Sequence, residues 1–288
     1  MFDCSPRFQA PFADTVLGVA SKQRLDTLLA ERGLFSSRSQ AAASVMAGEV
    51  YLDPARPGRR RAQKPGEMVA VDAELSVKER PRYVSRGGIK LANALAGTGL
   101  EVQGRKALDV GASTGGFSDC LLQHGAAEVV AVDVAYGELD YGLRQDPRVH
   151  VLERTNARAL TAAMLPYAPD LAVADVSFIS LTKVLPAILP CMAAPYDVLA
   201  MVKPQFEVGR EKVGKGGVVR AAQDRRAALV SVGSYARGLG AAVLGFHPSG
   251  LPGPKGNIET FVWLAEPGRE GGARDDEELA AMASEVEP

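Results

Sequence analysis

Two hydrophobic rhythms divide the chain. In the first, Leu25, Leu28 and Leu29 recur at helical spacing in KQRLDTLLAER, with Ser21 in the capping position and Gly33 as the stop. A second helix is predicted over SRSQAAASVMAGE, capped by Ser36 or Ser37 and ended by Gly48, with an alanine-rich face that allows close packing. A short strand over residues 49–52, the turn PARPGRRRAQKPG and a strand over residues 68–71 complete a small unit of helices and sheet. The second rhythm starts near Arg86 with the helix RGGIKLANALAG. Strands and helices then alternate: ALDVG, EVVAVDV, VHVLER, LAVADV, DVLAMV, AAVLGF and IETFVWL, with helices expected between them. These strands are continuous apolar runs, the pattern of a sheet covered on both faces, so the class is α/β, a Rossmann-like doubly wound fold preceded by a small α+β domain. The charged stretch KERPRYVS reads as the linker. The expected division is 21–78 for the small domain, 79–86 for the linker, 87–267 for the large domain and 268–288 for an acidic tail, either a short helix from Asp275 or disordered.

Composition removes several classes. The 288 residues are 47% hydrophobic and 23% charged with a net charge of −1, ordinary for a packed protein and unlike a disordered, collagenous or disulfide-built chain. Cys4, Cys120 and Cys191 stand far apart, which points to a reducing, cytoplasmic setting and no metal site. The apolar stretch from Val184 to Val202 is broken by Pro186, Pro190, Pro195 and Asp197, so it reads as helix, break and buried strand, and no membrane partner is expected. The first 20 residues lack a basic n-region and read as a loose leader. The neutral total conceals a polarity: residues 21–90 carry 14 basic and 8 acidic side chains, whereas residues 266–288 carry 2 and 8. A basic first third suits contact with nucleic-acid phosphates, and equally a solvated basic face.

Candidate chemistry gathers at strand ends. The run Asp109, Val110, Gly111, Ala112, Ser113, Thr114, Gly115, Gly116, Phe117 follows the first strand of the large domain, where glycines let the backbone approach a cofactor. It lacks the G-x-G-x-x-G spacing of nicotinamide sites. Asp109 ahead of the first glycine disfavours a pyrophosphate and suits a cationic amino group, which S-adenosylmethionine brings. Asp133, 22 positions after Gly111 and followed by Val134, stands where a ribose diol is held, or else caps the next helix. Asn156 is a candidate for the adenine edge or a plain helix cap. Four groups can converge at one rim of the sheet: Lys90 in the opening helix, Asp175 ending the fourth strand, Lys203 ending the fifth and Glu259 starting the last. Phe178 and Phe206 follow two of these, either to stack a flipped-out base or to pack the core. The loop GREKVGKGGVVR, with Arg210, Lys212, Lys215 and Arg220, reads as a mobile lid whose Lys212, Lys215 and Arg220 meet RNA, or as an ordinary surface loop.

The opening R-L-D-x-L-L, the S-R-S-Q-A-A helix start and the G-x-V-x-L-D strand entry of the small unit resemble the RNA-binding domain named after ribosomal protein S-four. That resemblance makes Arg24, Arg38, Arg59, Arg60, Arg61 and Lys64 RNA-contact candidates, and Arg86 beside the linker joins them. The order K-D-K-E resembles the 2′-O-ribose RNA methyltransferases of the FtsJ/RrmJ type. The stretches VSRGGIKL, LDVGASTGGFSD, DPRVHVLERTNAR, ADVSFISL, VKPQFEVG and LPGPKGNIE make the whole arrangement similar to the TlyA family. The resemblance implies methyl transfer from S-adenosylmethionine to ribose 2′-hydroxyls of cytidines in ribosomal RNA, with ribosomal RNA or subunits as the partner. It implies catalytic roles for Lys90, Asp175, Lys203 and Glu259. The departures are the leader and Gly88-Ile89. The family also carries a haemolysin label, which would need an amphipathic or spanning element that the sequence does not display; the other alternative, an RNA-binding protein with an inactive transferase domain, is opposed by the intact glycine loop and full tetrad.

Overall fold

A computed structural model describes residues 21–52, 60–78 and 81–287. The leader, residues 53–59 including Arg59, linker residues 79–80 and Pro288 lie outside the described residues. The chain separates into two units, Met1–Arg80 and Pro81–Pro288.

In the first unit, β1 (Lys22–Arg24) runs directly into α1 (Leu25–Glu31), so the predicted helix starts three residues late. Ser21 caps nothing; its carbonyl accepts from Val71 N at 2.9 Å, beside the pairing of β1 with β4 (Met68–Ala70). The ladder satisfies backbone groups that an added helical turn would have left at its own open end. Ser37 caps α2 (Arg38–Met46), accepting from Gln40 N at 3.2 Å. A second small sheet joins β2 (Val50–Leu52) to β3 (Arg60–Arg61) and β5 (Leu75–Val77), so the expected single sheet is two. Leu25, Leu28, Leu29, Ala41, Val45, Val50, Leu52 and Val69 form the core between helices and strands.

The second unit begins with α3 (Arg86–Thr98), capped by Ser85 and ended by Gly99 in the left-handed region. Then follow β6 (Lys106–Val110), α4 (Gly116–Gln123), β7 (Glu128–Val132), α5 (Tyr141–Gln145), β8 (Val149–Leu152), β9 (Leu171–Ala174), α6 (Leu185–Ile188), β10 (Asp197–Val202), α7 (Pro204–Glu207), α8 (Ala222–Gly238), β11 (Ala242–Pro248), β12 (Thr260–Ala265) and α9 (Asp276–Val286). The seven strands order as β11-β12-β10-β9-β6-β7-β8, parallel except for β12, which runs antiparallel to both neighbours. Alternate residues serve opposite cores. Leu108, Val110, Ala172 and Ala174 face the layer with α6, α8 and α9, while Ala107, Leu171 and Val173 face α3 and α4. Strand order reverses between β6 and β9, and the crevice beyond their carboxyl ends is where such folds bind ligands.

One sequence expectation needs correction here. Full helices were expected after β8 and β9. The first connection holds only 3-10 turns at 157–159 and 162–164, and the second is the short α6 flanked by 3-10 turns, with Pro186 and Pro190 preventing a longer run. The acidic tail takes the first of its two expected forms, a helix from Asp275. Asp275 caps α9, accepting from Glu278 N at 2.9 Å, and Leu279 and Ala283 are fully buried against the α8 layer.

Candidate active site

The glycine loop departs from the end of β6. Gly111 has φ +86°, and a Cβ there would stand 2.6 Å from the Asp175 carbonyl oxygen, so only glycine lets β6 and β9 approach this closely. Its amide and that of Ala112 both donate to Val132 O, at 2.8 and 3.0 Å. Ser113 (φ +48°) and Gly115 (φ +92°) continue the left-handed turns into α4.

Beneath this loop lies Asp109. The strand's alternation turns it to the α4 face, where Ser118 Oγ donates to its Oδ2 at 2.7 Å. Its Oδ1 has no partner among the described residues, and the residue is fully buried. Burial above all, with the nearby charges of Asp175 and Asp133, pushes its carboxyl up to about 7, against the opposing Ser118 hydrogen bonds. A buried acceptor lacking a donor, under a cradle that admits no side chain at Gly111, fits a cationic amino group. S-adenosylmethionine carries one.

The four tetrad residues line one cleft of about 770 Å³ with Gly111–Thr114, Gly116 and Phe117. They form two ion pairs. Lys90 Nζ pairs with Glu259, both nearly inaccessible to solvent. Lys203 Nζ lies 2.5 Å from Asp175 Oδ1 and donates to Ser177 Oγ at 2.8 Å. Each lysine therefore has its own acid, from a different pair of elements: α3 with the approach to β12, and the end of β10 with the end of β9. Glu207 braces the second pair's segments, accepting from Ser180 Oγ at 2.6 Å and Leu181 N at 2.8 Å. Phe178 is 92% exposed at the cleft, with φ +65° and its ring 5.4 Å from that of Phe206. Core packing is thus excluded for Phe178, and a strained, exposed aromatic at a cleft is suited to stacking.

The basic loop after α7 is pinned. Asn257, 3% exposed, accepts from Val219 N at 2.9 Å and donates to Gly217 O at 2.7 Å. Lys212 pairs with Asp224 at 3.0 Å, and Arg225 donates to Arg220 O at 2.7 Å. Lys215 and Arg220 are exposed.

Several sequence candidates sit elsewhere. Asp133 is outside the main cleft, and its two oxygens accept from Ser113 N (2.7 Å) and Ala135 N (2.8 Å). It shapes the loop, with second lone pairs left for a diol. Val134 is exposed. Asn156 caps the 3-10 turn at Arg158 N, 3.0 Å, and does not line the cleft, which is the helix-cap reading. In the first unit, Arg24 and Arg38 share the buried Asp26 at 2.7 and 3.1 Å, Arg60 faces Glu67 at 3.3 Å, and Lys64 is exposed. Arg61 donates to Gly48 O and Ala47 O, at 2.7 and 3.0 Å, closing the C-terminal end of α2. Arg86 lines the cleft and donates to Pro252 O at 2.8 Å.

Sequence reasoning missed Ser177, Asn257, Lys255 and Asp26. Ser177 had a signal, since two residues after Asp175 in extended chain it returns to the same face. Asp26 had one too, as an acid inside an otherwise leucine-faced helix.

The FtsJ-like methyltransferase family model matches residues 83–266, and the S4 domain model matches residues 23–75. The chain is 49% identical over 249 residues to the 16S/23S rRNA (cytidine-2′-O)-methyltransferase TlyA of Mycobacterium tuberculosis, covering 85% of this chain and 91% of that one. It is 38% identical to Hemolysin A of Brachyspira hyodysenteriae, covering 82% and 97%. A solved structure titled "Putative hemolysin from Streptococcus thermophilus" superposes with a TM-score of 0.66 at 40% identity, covering 93% of this chain and 97% of that one. Among the described residues no helix is long and apolar enough to cross a membrane.

Proposed function

This chain belongs to the FtsJ-like methyltransferase family, and from that premise we propose that it transfers a methyl group from S-adenosylmethionine to the 2′-hydroxyl of cytidine ribose in ribosomal RNA. The observation that carries the reading is the pairing of two lysines with two acids, Lys90 with Glu259 and Lys203 with Asp175, beside a glycine cradle. The cofactor's place is the cradle of Gly111–Gly116, with Asp109 below it and Asp133 at its edge. When bound, it supplies an electrophilic methyl on a sulfonium.

The remaining work falls to the protein. A ribose hydroxyl is a weak acid, and its oxygen becomes nucleophilic only as its proton departs. Lys203 Nζ, once it has released its own proton to solvent and stands as the neutral amine, takes up the hydroxyl proton as the oxygen gains the methyl, and Asp175 and Ser177 fix where Nζ stands. Lys90 adds positive potential near the developing oxyanion, and Glu259 keeps that ammonium in place. Union of a cationic donor with an anionic oxygen neutralises charge, so a cleft shielded from water favours it. Two lysines suit a hydroxyl that must lose a proton. An exocyclic amine would call instead for a neutral acceptor. Phe178 stacks the extruded base, and the S4 domain with Arg24, Arg38, Arg60 and Lys64 grips flanking RNA.

Incubation of the full chain with unmodified ribosomal subunits and methyl-tritiated S-adenosylmethionine, then nuclease digestion and nucleoside separation, tests this. Label is expected in 2′-O-methylcytidine, and is expected to vanish with Lys203→Ala. Label on a base, or full activity of Lys203→Ala, refutes it.

A further inference from the structure

The charged side chains lining the cleft are Arg86, Lys90, Asp175, Lys203, Lys255 and Glu259. Lys90 is neutralised by Glu259 and Lys203 by Asp175. Neither Arg86 nor Lys255 has a carboxylate partner among the described residues, so the cleft holds two surplus positive charges. A ribose inside an RNA strand lies between two phosphates, one on O5′ and one on O3′. We infer that Lys255, together with Arg86, binds the phosphates that flank the target ribose. This rests on the ribose-methylation reading and adds to it the group that aligns the strand.

Both cations are rooted on one built segment. Arg86 is tethered to it through Pro252 O at 2.8 Å, and Lys255 belongs to it. The segment is closed by Gly253 N donating to Asn257 O at 2.9 Å, and the buried Asn257 side chain ties it to Gly217 and Val219. Lys255 lies along the glycine turn of the facing loop, where even a Cβ on Gly217 would stand 3.9 Å from its Nζ. Lys255 is exposed and its ammonium meets no acceptor among the described residues, whereas those of Lys90 and Lys203 are committed inside the cleft. An unpaired ammonium at such a position strengthens binding through phosphate neutralisation and counterion release. Held at both phosphates, the nucleotide has its 2′-oxygen fixed relative to Lys203.

The test uses the full chain and unmodified ribosomal subunits. Lys255→Gln is expected to weaken subunit binding about three- to tenfold near physiological salt and to make the slope of log K against log[salt] shallower by about one, with Lys255→Arg restoring both. S-adenosylmethionine affinity should stay within twofold. As competitors of methyl transfer, cytidine 3′,5′-bisphosphate should outcompete cytidine with wild type and lose that advantage with Lys255→Gln. An unchanged salt slope overturns the inference. So does a loss confined to S-adenosylmethionine affinity, which would assign Lys255 to the cofactor's carboxylate. Binding slopes need no turnover, so a wild-type enzyme that leaves ribose unmethylated refutes the functional reading separately.

Discussion

The Lys90–Glu259 pair offers the sharpest test of how the cleft is built. Glu259 is 2% exposed and the Lys90 side chain 9%, so both charges are out of water and each depends on the other. Glu259→Ala leaves a buried ammonium without its acid, which costs about 3–5 kcal/mol. For a domain of this size each kcal/mol lowers the melting temperature by about 2–4 °C, so a drop of roughly 6–20 °C is expected in thermal denaturation followed by circular dichroism. The Asp175 side chain is 26% exposed, so Asp175→Ala leaves Lys203 within reach of water and costs less. The double variant Lys90→Met with Glu259→Leu removes both charges and fills the space with apolar groups. Its stability should return to within about 2 kcal/mol of wild type, because replacement of a buried pair by hydrophobic residues is often neutral. Its methyl transfer should nevertheless remain lost. A cost below about 1 kcal/mol for Glu259→Ala would show that the pair is solvated and that the shielded cleft is wrongly described. An active double variant would remove Lys90 and Glu259 from the chemistry.

Other outcomes follow from single groups. Asp109 is held near 7 when folded against 3.8 for the free side chain, so the native state retains a proton that the unfolded chain releases. Stability therefore falls as pH rises from about 4 to about 7, by about 4 kcal/mol in total, and Asp109→Asn should flatten that part of a urea-denaturation profile; an unchanged profile would show that Asp109 is not shielded. Asn257→Ala should free the loop at Gly217 and Val219, raising tryptic cleavage at Arg210, Lys212 and Lys215 several-fold with S-adenosylmethionine affinity retained, and equal cleavage rates would show that Asn257 is not the latch. Gly111→Ala, with φ +86° and a contact of 2.6 Å to the Asp175 carbonyl, should abolish S-adenosylmethionine binding in calorimetry, and retained binding would contradict the close strand approach.

What the sequence determined by itself was what local physics fixes. Continuous apolar strands required a sheet buried on both faces, glycine spacing marked the loop after β6, and Asp175, Lys203 and Glu259 stood at strand ends where an α/β fold exposes its chemistry. Partnership was decided by tertiary structure. Lys90 and Glu259 are separated by most of the large domain's length, and only the placement of β12 between β10 and β11 brings them together. The same holds for Asn257 and Gly217, and for the split of charge that leaves Lys255 and Arg86 without a carboxylate partner among the described residues. Asn156 shows the converse: its residue type suited a ligand, but an open backbone N–H at its own turn, that of Arg158, holds its side chain. Hydrogen-bond and ion-pair partners are set by distances across the fold, and those distances are absent from a linear pattern.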